Sequence, residues 1–394
     1  MKLLHVVPTY VPAWSHGGPI FAVHGLCRAL AARGHDVTVF TTDVHGAGTL
    51  DVPLGEEVRL DGVKVFYFHV VQPRRLYPAP ALRRALHERI GEFDVAHLHS
   101  LFLWPTAATA RAARQRGVPY IVSPRGMLVA DLLRGRGQLR KALWIQLVEK
   151  RNLRNAALLH ATSELEAKEA TRLGLDLPPV RVVPNGTDIE PPPGPNAEIS
   201  EPVRRAISSG PFALYLGRLN WKKNLDALLA AIADVPGLRL VLGGASEEGT
   251  RERLEGVARE RGLAERVSFA GEVLGDDKQA LLHAASCLVL PSLSENFGNV
   301  VLEAMAAGRP VVATPGVGLA AEVRAAGAGL VVEGSAGALA AALRELLADP
   351  AHATAMGERG ARLVRERFSW AVVATQMERL YAEALGSRAA RASA

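Results

Sequence analysis

Cysteine is nearly absent. The 394 residues hold two, Cys27 and Cys287, too few for a disulfide framework or a multi-cysteine metal site. Both fall in apolar patterns and are expected to be buried. Aromatic residues make up only 5% and no nucleic-acid-binding module is visible, so nucleic acid is not an expected partner. Long hydrophobic runs are missing too. The longest uncharged stretch, Leu3 to Cys27, is broken by Pro8, Pro12, Gly17, Gly18 and Pro19, which excludes a membrane-spanning helix. Only five residues separate Lys2 from Pro8, too few for a secretory core, so a cytoplasmic location is expected. The chain also lacks the G-x-G-x-x-G signature after its first strand candidate. HVVPTYVPAW stands there instead, which counts against a dinucleotide-dependent oxidoreductase.

What is present is the balance of a folded protein: 48% hydrophobic and 22% charged residues, with length for two or three domains. Short apolar runs alternate with helix-period segments. In the first half the runs are 2–7, 36–41, 63–68, 94–98, 119–123, 157–162 and 180–184; in the second they are 212–217, 238–244, 266–271, 287–291, 310–314 and 329–333. Such runs with helices between them predict an α/β protein with parallel sheets covered on both faces. The stiff, polar segment starting at Glu190-Pro-Pro-Pro reads as a linker. The expected organisation is a first doubly wound domain at 1–189, a linker at 190–210, a second such domain at 211–369, and a final helix with its tail at 370–394. Ligands of such sheets bind beyond the carboxyl ends of the strands, so the chemistry is expected in those loops.

Net charge is +6, unevenly placed. Residues 1–190 carry 24 basic and 17 acidic side chains. Within 125–154 lie Arg125, Arg134, Arg136, Arg140, Lys141, Lys150, Arg151 and Arg154 against Asp131 and Glu149. On an ideal helix Arg136, Arg140, Arg151 and Arg154 share one arc, with Leu147 inside it and Leu143 beside it. This face is either a solvated basic surface or a site of peripheral contact with an anionic membrane.

Three loops offer chemistry. The first contains His16-Gly17-Gly18-Pro19, ahead of a helix expected to have proline at its first position. It reads as an ordinary Gly-Gly turn or as a place where a phosphate meets a helix N-terminus. In GRLNWKKNLD, Arg218 and Lys223 are either solvated cations or a clamp for a diphosphate. The most specific segment is PSLSENFGNVVLEAMAAGRPVVAT. Its helix is expected to start near Phe297. Glu295 and Glu303 could accept hydrogen bonds from sugar and ribose hydroxyls, and the amides of Gly298, Asn299 and Val300 suit a phosphate.

These motifs, with GHDVTVFTT at 34–42 and VVPNGTD at 182–188, resemble the family 4 retaining glycosyltransferases over nearly the whole chain. The resemblance implies the GT-B fold, two Rossmann-like domains facing each other across a cleft, and transfer of sugar from a nucleotide diphosphate sugar to an acceptor. By that resemblance Arg218 and Lys223 bind the diphosphate, Glu295 faces the donor sugar and Glu303 the nucleotide ribose. Phe297, Gly298, Asn299 and Val300 belong to the same donor site, and Gly17 and Gly18 to a loop that closes over the donor. Asn185-Gly186 marks the interdomain crossing, and the C-terminal helix returns to the first domain.

One loop departs from the family pattern. Many members have a histidine near the reacting sugar where this chain reads Ser123-Pro124-Arg125-Gly126-Met127. This version resembles a subgroup associated with surface polysaccharide or glycolipid assembly, with sugar or lipid-linked acceptors. Arg125 cannot accept a proton at ordinary pH; it is expected to neutralise a leaving diphosphate or to bind an acidic acceptor. His99 is expected to contact the sugar or the acceptor, and His97 to point into the domain. No Asp-x-Asp pair is present, so no metal or other cofactor is expected and protein cations would stabilise the leaving group. A nucleotide-sugar epimerase, a phosphorylase-like enzyme and a non-catalytic binder share the architecture and remain the alternatives.

Overall fold

The computed structural model describes residues 1–14, 17–129 and 143–392, with side chains to residue 386. His16, Asp131, Arg134, Arg136, Arg140 and Lys141 lie outside the described residues. The chain divides into two compact units, Met1–Gly186 with Trp370–Ala394, and Thr187–Ser369.

In the first unit the strands are β1 (Lys2–Val6), β2 (Asp36–Thr42), β3 (Val44–His45), β4 (Gly48–Thr49), β5 (Val58–Leu60), β6 (Val63–Phe68), β7 (Val95–His99), β8 (Tyr120–Ser123), β9 (Leu158–Ala161) and β10 (Val180–Val182). The main sheet has the order β10-β9-β8-β7-β1-β2-β6-β5. All its pairings are parallel except that of the edge strand β5 with β6. The central strands are buried on both faces, which is why they read as unbroken apolar runs rather than alternating ones.

The second unit contains β11 (Phe212–Leu216), β12 (Arg239–Gly243), β13 (Val267–Gly271), β14 (Cys287–Leu290), β15 (Val311–Ala313) and β16 (Gly329–Val331). Their order, β13-β12-β11-β14-β15-β16, is that of a doubly wound sheet. Both cysteines are buried free thiols, and burial pushes each up to about 12.

Two features differ from the sequence reading. The segment expected as a linker contains the helix Glu201–Ser208, whose Val203 and Ala206 are buried in the core of the second unit. The small hairpin β3–β4 and the antiparallel edge strand β5 were not anticipated. They hold three apolar residues, buried Val44 and half-buried Val58 and Leu60, too few and too scattered to give an apolar run to read.

The helix Trp370–Ala392 belongs to the first unit. It is seated by Trp370, whose ring lies against Gly25 and Gly186; a Cβ added at those glycines would stand 2.2 and 2.5 Å from the ring. Val373, Met377, Leu380 and Tyr381 then bury against the sheet and the helix Gly18–Ala32.

Candidate functional site

Each main sheet reverses its winding once, and the loops at those two points carry Gly17, Arg218, Lys223 and Glu295, while Arg125 lies past β8 and Glu303 inside the helix that follows β14. In the second unit the reversal lies between β11 and β14. Arg218 and Lys223 follow β11, and Glu295 follows β14. Three loops are stitched there by backbone hydrogen bonds. Leu293 donates to the Lys222 carbonyl (2.8 Å), Glu295 to Gly316 (2.9 Å), Gly318 to Glu295 (2.9 Å) and Leu319 to Phe297 (3.1 Å). The approach is so close that a Cβ on Gly318 would lie 2.1 Å from the Asn296 carbonyl oxygen.

Every cation expected at this site is paired with a carboxylate. Lys223 Nζ donates to Glu295 in a partly buried ion pair. Arg218 donates to Glu247 at 2.6 Å, and Asn220 adds a 3.0 Å bond to the same carboxylate. Lys278 donates to Glu303 at 2.8 Å. The Tyr215 hydroxyl braces the turn by donating to the Arg218 carbonyl (2.9 Å). It is held well above its ordinary range by burial first and then by the charge of Glu295. Glu247 and Lys278 were not found by sequence reasoning. Their partners lie 29 and 25 residues away, and nothing local marks them.

The expected amide cradle is shifted. The helix begins at Asn299 rather than near Phe297, with Gly298 as its N-cap at φ 92°, a left-handed conformation that suits glycine. The Phe297 side chain, expected at the donor, is instead part of the hydrophobic core, 4% exposed. Only its backbone is left to serve the site. Val300 packs against the same core.

In the first unit the reversal lies between β1 and β7. Gly17, at φ 78°, caps the helix Gly18–Ala32, so Pro19 is the second helical residue rather than the first. Ser100, Phe102 and Arg125 all adopt positive φ, just past the ends of β7 and β8. Such non-glycine residues cost free energy and gather where geometry is dictated by function or by tight packing. Two buried carboxylates hold these loops. Glu149 accepts from the Phe102 amide (2.8 Å) and Trp144 (2.9 Å), and burial raises its pKa. Glu166 accepts from the Gly126 amide (2.6 Å) and from the amide and hydroxyl of Thr162 (2.6 and 2.9 Å). Both were missed because each also holds a backbone amide 40 or more residues away, Phe102 for Glu149 and Gly126 for Glu166.

His97 points into the domain as expected, but His99 does so too. His97 and His99 are two residues apart on a strand, so they share a face, and their ring centroids are 4.1 Å apart. Both are 1% exposed. His99 therefore does not present its ring to a ligand. Its Nε2 lies 3.0 Å from His5 Nδ1, and Arg125 Nη2 lies 3.3 Å from its Nδ1. Arg125 Nη1 donates to Asn185 Oδ1 at 2.6 Å. Nitrogens of His5, His97 and His99 fall within 4.8 Å of one another, a spacing that would admit a metal ion, but the Arg125 guanidinium stands beside them.

Residues 198–363 match the family "Glycosyl transferases group 1", and residues 17–186 match "Glycosyl transferase 4-like domain". The chain is 31% identical to a D-inositol 3-phosphate glycosyltransferase of Xylanimonas cellulosilytica, over 99% of this chain and 98% of that one. It is 32% identical to a glycogen synthase of Mycobacterium tuberculosis, over 97% and 94%. Among solved structures, sucrose-phosphate synthase from Thermosynechococcus elongatus superposes with a TM-score of 0.77 at 26% identity, covering 98% of this chain and all of that one. Anabaena HepE, solved with UDP and glucose, shares the fold with a TM-score of 0.74 at 20% identity, over 97% and 99%. With both halves matched and relatives aligned end to end, this chain belongs to the group 1, family 4 glycosyltransferases of the GT-B fold.

Proposed function

We propose that the enzyme transfers a sugar with retention of configuration and without a metal ion, from a nucleotide diphosphate sugar held by the second unit. The observation that carries this is the set of paired charges at the β11–β14 reversal. Arg218 and Lys223 have carboxylates as counter-charges, and a diphosphate can take the place of those carboxylates. Exchange at Lys223 frees Glu295 to accept hydrogen bonds from the donor sugar. Exchange at Glu303, held by Lys278, frees a carboxylate for the ribose diol. The amides of Gly298, Asn299 and Val300 and the two cations then stabilise the charge that develops on the leaving diphosphate, the part a metal plays elsewhere.

The first unit takes the acceptor, with the Gly17-Gly18 loop closing over the donor. Arg125 pairs with an anionic group, either on the acceptor or on the leaving diphosphate. An acceptor that carries such a group is supported by the likeness to relatives named for D-inositol 3-phosphate. The Ser123–Met127 loop favours a sugar or lipid-linked acceptor of polysaccharide or glycolipid assembly. Activity after exhaustive chelation and the anomeric configuration of the product, read by NMR, test the chemistry. Full activity and a retained anomer are expected. A strict need for added magnesium or manganese, or an inverted product, would sink the proposal.

A peripheral membrane contact is favoured by one observation. Leu143 and Leu147 are 59% and 68% exposed, near the exposed Arg151 and Arg154. The turn Ile145–Glu149 is π-helical, so the ideal 100° register does not carry through it, and Arg136 and Arg140 lie outside the described residues. Each cation near an anionic surface contributes about 1 kcal/mol. Arg151→Gln with Arg154→Gln should reduce co-sedimentation with anionic vesicles while leaving the weak binding to neutral ones unchanged. Equal binding of both proteins to both vesicle types would reject the contact.

A further inference from the structure

Four histidines and a tyrosine of the first unit are buried, and none is used by the donor site. They come from β1 (His5), β7 (His97, His99), β9 (His160) and the C-terminal helix (Tyr381). All eight ring nitrogens have partners, and the donor–acceptor direction can be worked out from the ends. The Val183 carbonyl can only accept, so His160 Nε2, 2.8 Å away, carries a proton. In a neutral ring His160 Nδ1 is then bare and accepts from His97 Nε2 at 3.3 Å. His97 Nδ1 accepts from the Tyr381 hydroxyl at 3.0 Å. The Tyr381 oxygen accepts from His5 Nε2 at 3.3 Å. His5 Nδ1 accepts from His99 Nε2 at 3.0 Å. That leaves His99 Nδ1 to accept from Arg125 Nη2 at 3.3 Å. Arginine has no acceptor, so the far end demands the same direction that the carbonyl imposes at the near end.

We infer that this directed chain is a positioning device for Arg125: it holds His99 as the neutral Nε2–H tautomer, whose bare Nδ1, together with Asn185 Oδ1, aims the guanidinium. Tyr381 is the link through which the C-terminal helix takes part. Reversing any ring would set two donors or two bare nitrogens face to face, and charging one would set two donors face to face or, at His97, leave the Tyr381 hydroxyl without its acceptor. Burial and the charge of Arg125 both oppose protonation. They hold His5 and His160 down to about 3, and His97 and His99 well below their ordinary value. The same accounting disfavours the metal reading of His5, His97 and His99, because an ion would have to displace hydrogen bonds at those nitrogens next to a fixed cation. His99 is thus a positioning residue that acts through Arg125.

The inference rests on the proposal that Arg125 meets an anionic group during transfer, so the test separates the two. Arg125→Ala probes that proposal directly; unchanged kcat and acceptor KM in this variant would remove it. Granted a loss there, Tyr381→Phe and His99→Leu interrupt the chain at two points. His99→Gln preserves its pattern, since a glutamine amide can donate to His5 Nδ1 and accept from Arg125. Loss of a bond to a charged group is worth about tenfold or more. We expect a fall in kcat or a rise in acceptor KM of about tenfold for the two interrupting variants, donor KM unchanged, and recovery to within roughly threefold in His99→Gln. In the wild type, ¹⁵N NMR should show all four histidines as neutral Nε2–H tautomers at pH 7, and Tyr381→Phe should shift the His99 resonances. Full activity in folded Tyr381→Phe and His99→Leu, a different tautomer at His99, or stoichiometric zinc binding that shifts these resonances would overturn the inference.

Discussion

The two units share one architecture and treat charge in opposite ways where their sheets reverse. In the second unit the reversal is lined by ion pairs, Lys223–Glu295, Lys278–Glu303 and Arg218–Glu247, on partly exposed side chains. Such pairs contribute little to folding, so a ligand can open them at low cost. In the first unit the reversal is built from neutral histidines and from the carboxylates of Glu149 and Glu166, all buried and hydrogen bonded. A buried polar group stripped of its partner costs its full desolvation, so this network is hard to rearrange. On the proposed reading one unit exchanges partners with a ligand, while the other holds a geometry.

The sharpest way to break that contrast is to remove one buried carboxylate. Glu166→Leu leaves the Gly126 and Thr162 amides and the Thr162 hydroxyl without their acceptor. A stability loss of about 3 kcal/mol or more is expected by urea unfolding. A loss under about 1 kcal/mol would mean the first unit is as adaptable as the second.

Glu295→Ala and Glu303→Ala should behave the other way, with stability changed by less than about 1 kcal/mol. Glu303→Ala should mainly weaken donor affinity and Glu295→Ala should also reduce turnover, by roughly 10- to 150-fold. Initial rates over a donor titration separate the two, and wild-type donor kinetics in both variants would remove the site.

Acid sharpens the comparison more gently. His5 and His160 are held at about 3 in the folded protein against 6.5 ordinarily. Below pH 6.5 the unfolded chain takes up protons that the folded chain refuses, so their contribution is fully present above 6.5 and declines as pH falls toward about 3. Each such histidine contributes a slope of roughly 1.4 kcal/mol per pH unit. Unfolding at pH 7, 6 and 5 should show the decline, and His160→Gln should flatten it. A flat profile in the wild type would show that these rings ionise in place.

The strand runs were legible because each central strand is buried on both faces and leaves an apolar signature of four to seven residues. The candidate donor-site residues stand out as a spaced motif after strands, where doubly wound sheets place ligands. The histidine chain left a fainter mark, a histidine at a core position in each of KLLHV, VAHLH and LLHA. Reading it required knowing that β1, β7, β8 and β9 are consecutive neighbours in the sheet. The helix Glu201–Ser208 was hidden by the prolines on either side of its segment, and its burial depends on a core built from later strands.

By itself, then, the sequence determined the alternation of strands and helices, the two-part organisation and the identity of the charged residues beyond the strand ends. Periodicity and burial are local properties, and they write themselves into consecutive residues. Only the tertiary structure decided partners: Lys278 for Glu303, Glu247 for Arg218, Glu166 for Gly126, and Arg125 for His99. A hydrogen bond depends on distance in space, and the parallel sheet order brings together groups that the chain keeps 25 to 40 residues apart.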